Sequence, residues 1–306
     1  MACRLKLALM TALLSTSVYA ADGPPGTDIY MTQLDKNKSG IYQAGPFVQL
    51  TTHKGYDNQP NFLPNGKGLL YTSMHQKADG NWQSDSFEYD FASQKLTNLT
   101  NTQTSEYSPT LMNNGQFFST IVERENQQQF WAQPYKVKRK PYRINQAEPV
   151  GYHVWGSDDD LVMFVLGKPH TLQYQVNMDS QPKVVANDIG RSLRFVKSRY
   201  SFSFSQQKGK TWYLSEYYPN KDKVVNLVPM LAAADYYTWL DDTTAISAVG
   251  QTIYQWRYDN SARGIRKASE ADWMPWLDVS KYCKTKVTRL AVNAQHSKLA
   301  LVCDEK

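Results

Sequence analysis

Cysteine is scarce in this chain of 306 residues, occurring only at Cys3, Cys283 and Cys303. That excludes a densely stapled disulfide scaffold, and without a Cys-x-x-Cys pair it argues against thiolate zinc and dithiol redox chemistry. Histidine is almost as rare, with five residues and no His-Glu-x-x-His motif. No Gly-x-Ser-x-Gly nucleophile elbow is present. Gly209-Lys210-Thr211 has the residues that end a phosphate-binding loop, but Phe204 stands where such a loop needs its first glycine. Asp35 to Gly40 begins like a calcium loop, yet its twelfth position is Pro46 instead of a bidentate glutamate. No metal or cofactor is expected.

Strong charge of either sign is missing too. The net charge is +6 and scattered; the one dense basic run is Lys136 to Lys140, followed by Arg143. A nucleic-acid partner would require a wider basic face with stacking aromatics, so none is expected. Long apolar runs are confined to the start. Arg4 and Lys6 precede the run Leu7 to Leu14, and Val18-Tyr19-Ala20 supplies a small-residue cleavage site. This predicts a signal peptide over residues 1–20, cut after Ala20, and a periplasmic or secreted protein. No later stretch approaches the ~18 apolar residues of a membrane span. Setting Arg4 and Lys6 aside leaves 32 basic against 28 acidic residues in 21–306.

Export puts Cys283 and Cys303 where disulfides persist. They flank the last hairpin, but strict pairing about a turn at 294–297 sets Cys303 nearer Thr288. A bridge requires the backbone before Thr285 to fold back, so bridged and free cysteines both remain open.

What the chain has in abundance is one phrase, written repeatedly. Residues 55–73 and 105–122 each carry a polar lead-in, a short apolar strand, an Asn-Gly turn and a second apolar strand. Taking the residue that ends the first strand as a landmark gives Phe62, Leu111, Trp155, Phe195, Trp239 and Val292. Their spacings are 49, 44, 40, 44 and 53 residues, a propeller-like period. Alternating third strands follow at 85–91, 129–135, 171–177, 211–217 and 252–258, with fourth strands ending near Leu99, Ile144, Val185, Leu227 and Ile265. The unit at Val292 has two strands before the chain ends, and 28–34 with 46–51 supply its third and fourth. The expectation is an all-β, six-bladed β-propeller with four-stranded antiparallel blades, a single domain over 21–306, closed by N- and C-terminal strands sharing one blade. Trp273 to Trp276 falls in the longest insertion and is expected to form a lid or contact surface.

Asn58 to Ser73 resembles the PD40, or WD40-like, repeat of TolB-like propellers, with Leu63 and Asn65 in place of the usual Ser and Asp. Pro149 to Trp155, Asp188 to Leu193 and Thr288 to Val292 resemble phrases of small secreted TolB-like proteins that carry the propeller alone. The resemblance implies a monomeric envelope protein with a partner-binding role, without TolB's additional N-terminal domain. The same repeat occurs in oligogalacturonate lyase.

In such a fold the links leading into the innermost strands surround the central channel. They carry Tyr56, Asp57, Asn58, Glu106, Tyr107, Tyr152, His153, Arg191, Asp235, Tyr236 and Arg289. Polar and aromatic groups converging on a concavity suit a small molecule, a peptide, a glycan fragment or an envelope protein. The same acids and tyrosines also suit packing between blades. Two functions follow: a non-enzymatic binding propeller, or a saccharide or peptide hydrolase or lyase. The second would use His153 as base, Arg191 and Arg289 as anion clamp, and Asp57 or Glu106 as acid.

Overall fold

The computed structural model describes residues 25–232, 234, 236–259 and 268–304. The expected leader, Asp235 and Ile265 lie outside the described residues. Among these described residues twenty-five strands follow in order. The first three are β1 (Thr27–Lys36), β2 (Tyr42–Ala44) and β3 (Val48–Gln49). Next come β4 (Tyr56–Phe62), β5 (Gly68–Gln76), β6 (Trp82–Asp90) and β7 (Leu96–Asn98). Then follow β8 (Ser105–Leu111), β9 (Phe117–Arg124), β10 (Gln127–Pro134) and β11 (Tyr142–Arg143). The next group is β12 (Val150–Trp155), β13 (Leu161–Val165), β14 (Thr171–Gln175) and β15 (Lys183–Asn187). After it come β16 (Ile189–Val196), β17 (Ser201–Lys208), β18 (Thr211–Tyr218) and β19 (Lys223–Pro229). The chain continues through β20 (Tyr237–Trp239), β21 (Thr244–Val249), β22 (Thr252–Arg257) and β23 (Met274–Asp278). It ends with β24 (Val287–Val292) and β25 (Lys298–Asp304).

β8–β11, β12–β15, β16–β19 and β20–β23 each form a four-stranded antiparallel sheet, and the remaining strands form a nine-stranded one. Within the latter, β1 pairs antiparallel with β25 over Thr27–Gln33 and with β2 and β3 on its other side. β4–β7 join this sheet through a single parallel bridge, Thr27 to Tyr56.

The turn chemistry explains the hairpins. Gly66 and Gly115 take positive φ (68° and 65°) after Asn65 and Asn114, whose side chains accept the following backbone N–H groups. Asp241 caps the β20–β21 turn in the same way through Thr243 and Thr244, and Asn293 caps β24–β25 through Ser297 and Lys298. Lys197-Ser198 lacks such an acceptor, and there the chain makes a 3-10 turn, Lys197–Arg199, ended by Tyr200 in the left-handed region.

The second strand of each sheet is buried on both faces, most completely in Leu161–Val165. Such a strand reads as an apolar run because sheets cover both its sides. Six apolar clusters lie among the described residues, each between two sheets adjacent in sequence or between the chain-end strands and their neighbours. Each fully buried Leu, Ile or Phe contributes about 1.5–3 kcal/mol relative to exposure.

Two expectations need correction or resolution. Trp273 to Trp276 is not a lid: Met274–Asp278 is the outer strand β23, paired with β22. Its indoles are structural: Trp273 packs near Trp256 and donates to the Pro229 carbonyl, while Trp276 donates to the Tyr42 carbonyl in the chain-end strands. Pro275 is tolerated because the strand is an edge. The cysteines, for their part, are bridged. β24 is bulged between Val287 and Arg289, setting Cys303 opposite Val287, and the turn at Val279–Cys283 brings the second sulfur back. The Cα atoms are 5.2 Å apart at a sequence separation of 20.

A loop of that length is worth about 3 kcal/mol by chain entropy. Urea unfolding of Cys303→Ser, or of the protein under reductant, should show a loss of about 2–4 kcal/mol. An unchanged midpoint in both would contradict this.

Candidate functional site

The strands β4, β8, β12, β16, β20 and β24 lie beside one another in turn, with β24 again beside β4. Within the first three residues of these strands, or just before them, stand Tyr56, Tyr107, Tyr152, Arg191, Tyr236 and Arg289. These six side chains gather. Arg289 Nη2 donates to Tyr152 Oη at 2.7 Å and to Tyr236 Oη at 3.0 Å. Its guanidinium also lies 4.2 Å from the Tyr236 ring centre and 5.0 Å from that of Tyr152. Tyr56 lies within the field of Arg289 and of Tyr152, Tyr236 and Tyr107.

Electrostatics mark this cluster. Burial pushes the phenols of Tyr152 and Tyr236 up and Arg289 pulls them down; Tyr152 ends below its ordinary value and Tyr236 above. Burial disfavours the charge on Arg289, yet the surrounding phenols raise its pKa overall. Arg191 is exposed at the rim; partial burial and Arg289 disfavour its charge, but Tyr152 and Tyr236 together raise its pKa overall.

Among the described residues neither Arg191 nor Arg289 has a carboxylate within ion-pair distance. Arg199 shows the contrast. It pairs with buried Glu216 at 2.5 Å, donates to the Asp242 carbonyl and lies 4.8 Å from the Trp239 ring centre. A guanidinium set into protein without an acid is costly unless an anion or water completes it.

Three cavities meet at the cluster. One of about 260 Å³ holds Tyr56, Tyr107, Tyr152 and Arg191; one of about 350 Å³ holds Tyr236, Lys286 and Arg289. A third, of about 570 Å³, runs from Arg191 and Tyr236 to Phe164, Met230 and the exposed indole of Trp212. A further cavity of about 670 Å³ lies where the inner strands end. Arg194 borders it and is tied to Thr238 Oγ1 and the Leu193 and Leu290 carbonyls.

The other expected mouth residues turn away. Side chains alternate along a strand, so the neighbours of Tyr56, Tyr107 and Tyr152 point into the packing between sheets. Asp57 is buried against His53, Nδ1 to Oδ2 2.8 Å. Asn58 bonds Thr27 Oγ1 and the Gln59 amide. Glu106 accepts from Thr102 and Thr104 at 2.5 and 2.6 Å, while its Oε2 has no partner among the described residues. His153 is buried, with Nε2 2.7 Å from Ser119 Oγ and its ring against Phe130. Burial drives its pKa down to about 3. It faces the interior, not the expected mouth, and borders the cavity at the opposite end. Asp235 lies outside the described residues.

Sequence reasoning missed Arg194 and Trp212. Arg194 was legible as the residue before the landmark Phe195, but a bulge in β16 between Ile189 and Leu193 changes the side-chain parity. It also missed the role of His53, whose Nε2 lies 3.3 Å from the Met74 carbonyl and 3.4 Å from Ser73 Oγ. Asp57, His53 and Ser73 have the residue types of a nucleophilic triad. The carbonyl competes for Nε2–H, however, and Ser73 is buried. His53 thus bridges Asp57 and the Met74 carbonyl, tying the loop before β4 to β5, and hydrogen bonding to Asp57 raises its pKa.

Glu106 gives a pH signature. Burial raises its pKa from 4.5 to about 7. Because the folded value is the higher, the group favours folding at acid pH, and this contribution is lost as pH rises through about 7. A shift of that size is about 3 kcal/mol. Wild type should therefore lose stability from pH 5 to pH 8.5, and Glu106→Gln should flatten that profile. Equal slopes in urea unfolding would contradict the assignment.

No protein-family model and no curated protein matches the chain. Solved structures do match. The protein assigned as TolB in Agrobacterium tumefaciens is 9% identical with a TM-score of 0.66, over 92% of this chain and 99% of that one. TolB from Acinetobacter baumannii is 13% identical with a TM-score of 0.50, over 67% of this chain; the match spans 63% of the Acinetobacter protein. Oligogalacturonate lyase in complex with manganese is 11% identical with a TM-score of 0.52, over 89% of this chain and 82% of that one. The fold of this chain is the TolB-like β-propeller.

Proposed function

We propose that the chain is an exported, monomeric, six-bladed propeller that binds a peptide, a glycan fragment or an envelope protein at the mouth where its inner strands begin. Support for six blades comes from the cyclic adjacency of the six inner strands and from the clusters between successive sheets. Support for closure comes from β1 pairing with β25, so that both ends of the chain share one blade. The sequence pattern of residues 1–20 supports export, with cleavage after Ala20, to the periplasm or beyond.

One observation carries the binding reading: Arg289 and Arg191 share a mouth with four tyrosines and have no carboxylate partner among the described residues. A purely structural arginine in this fold would look like Arg199. The catalytic alternative loses its base, because His153 is buried and engaged by Ser119. The likeness to oligogalacturonate lyase keeps an acidic saccharide among the ligands to test, without lending its chemistry.

Arg191→Ala separates site from scaffold. Exposed and without an ion pair, Arg191 should cost less than about 0.5 kcal/mol of stability when removed. Binding to cell-wall fragments or envelope extract, measured on immobilised protein, should fall at least tenfold. A large stability loss with unchanged binding would overturn the proposal.

A further inference from the structure

We propose that the mouth captures the free C-terminal carboxylate of a peptide, seated between Arg289 and Arg191, with the preceding apolar residues lying in the groove toward Trp212. This rests on the reading of the mouth as a binding site and names its ligand chemistry.

The first argument is the donor inventory. Arg289 gives Nη2 to two phenol oxygens. A phenol that accepts a guanidinium N–H keeps its own O–H as a donor. Tyr236 and Tyr152 also influence each other, and Arg191 influences Tyr236, so even if one O–H turns to the other phenol a second is left. Arg289's remaining N–H groups, those of Arg191 and the free phenol therefore form a site composed of donors. Such a set fits an anion, and a guanidinium fork fits a carboxylate.

The second argument is the surrounding charge. Lys286 shares Arg289's cavity, and Arg194 lies farther along the inner strands within its field. Among the described residues the acids nearby are occupied or directed elsewhere. Glu270 accepts the Ala232 amide at 2.7 Å, and Glu123 lies with Tyr107 and Gln128, its pKa raised by burial. Asp57 and Glu106 face between sheets. Mutual repulsion among the arginines is relieved by one negative group placed between them.

The third argument selects a chain end over an internal acid. Arg289 is recessed among Tyr56, Tyr152 and Tyr236, and a terminal group reaches such a spot with less bulk than a branch along a chain. The groove leading away from it has the buried Phe164, Ile189 and Met230 in its floor, Leu231 and the exposed Trp212 at its side, and Lys210, Thr211 and Glu270 in its polar lining. Leu231 and the indole suit apolar peptide side chains, while the polar lining can meet the peptide's backbone amides.

The test uses the mature chain and randomised octapeptides fixed by their N-termini, presented with free or amidated C-termini. Hits are then titrated in solution, with inorganic phosphate and a hexuronic acid as competing anions. The expected result is hits that end in apolar residues and lose at least tenfold in affinity on amidation. Arg191→Ala and Tyr236→Phe should each weaken them, and Arg289→Gln should do so if it folds. Equal binding of acid and amide, an absence of free-acid hits, or tighter binding of the uronic acid or phosphate would each overturn the inference. Amide-insensitive hits still lost in Arg191→Ala would leave the mouth as a site and reject only the carboxylate.

Discussion

Seven residue pairs between β1 and β25 hold the two ends of the chain in one sheet, and the rest of the structure depends on that pairing. Without it the sheet ending at β25 would expose a long edge, and the apolar cluster around Ile29, Ala300 and Val302 would lose one wall. Arg289 sits on β24, whose strand pairing is with β25 and which is tied, just upstream, by the Cys283–Cys303 bridge. The most informative cation of the mouth is therefore positioned by the last contacts that the chain can make. Those contacts join residues nearly the whole chain length apart, so they are entropically expensive to assemble and rely on burial to hold.

The strand alternation that packs the sheets also sorts the charges. Tyr56, Tyr107 and Tyr152 face the mouth, while their sequence neighbours Asp57, Glu106 and His153 face the seams. In the seams each acid finds a local partner on the loop that leads into its strand: His53 for Asp57, Thr102 and Thr104 for Glu106. These contacts fasten one lead-in loop after another. The same parity leaves Tyr56, Tyr107 and Tyr152 at the mouth and turns Asp57 and Glu106 away from it. Electrostatic polarity of the mouth is thus a by-product of two-residue periodicity applied to Tyr-Asp, Glu-Tyr and Tyr-His pairs.

Much of the architecture was legible because the repeat states its turns openly. Asn-Gly and Asp-containing turns are dictated by the side-chain acceptors and positive φ that they supply, so the hairpins fell where the sequence put them. The site was legible by strand but not by side chain. Choosing consecutive residues as mouth candidates ignored the alternation, and bulges in β4, β8 and β16 shift the parity in ways that no local pattern announces. The Trp273 to Trp276 stretch was misplaced for a different reason. A long insertion precedes it, and a proline inside it argues against a strand until the strand is known to be an edge.

The arginines show how function can be separated from scaffolding within one fold. Arg199 has a carboxylate, a carbonyl and two aromatic faces, and it joins β18 to the β20–β21 region. Arg194 has carbonyls and a hydroxyl, and it joins three inner strands from within. Arg289 has only phenols, and Arg191 stands free of acids at the rim among the described residues. Complementation declines from the first of these to the last, and of the four it is Arg191 that is exposed. A fold that needed the outer pair only for stability could have given them acids, as it did for Arg199. Leaving them to phenols keeps their charge uncompensated at the place where a ligand can supply the missing anion.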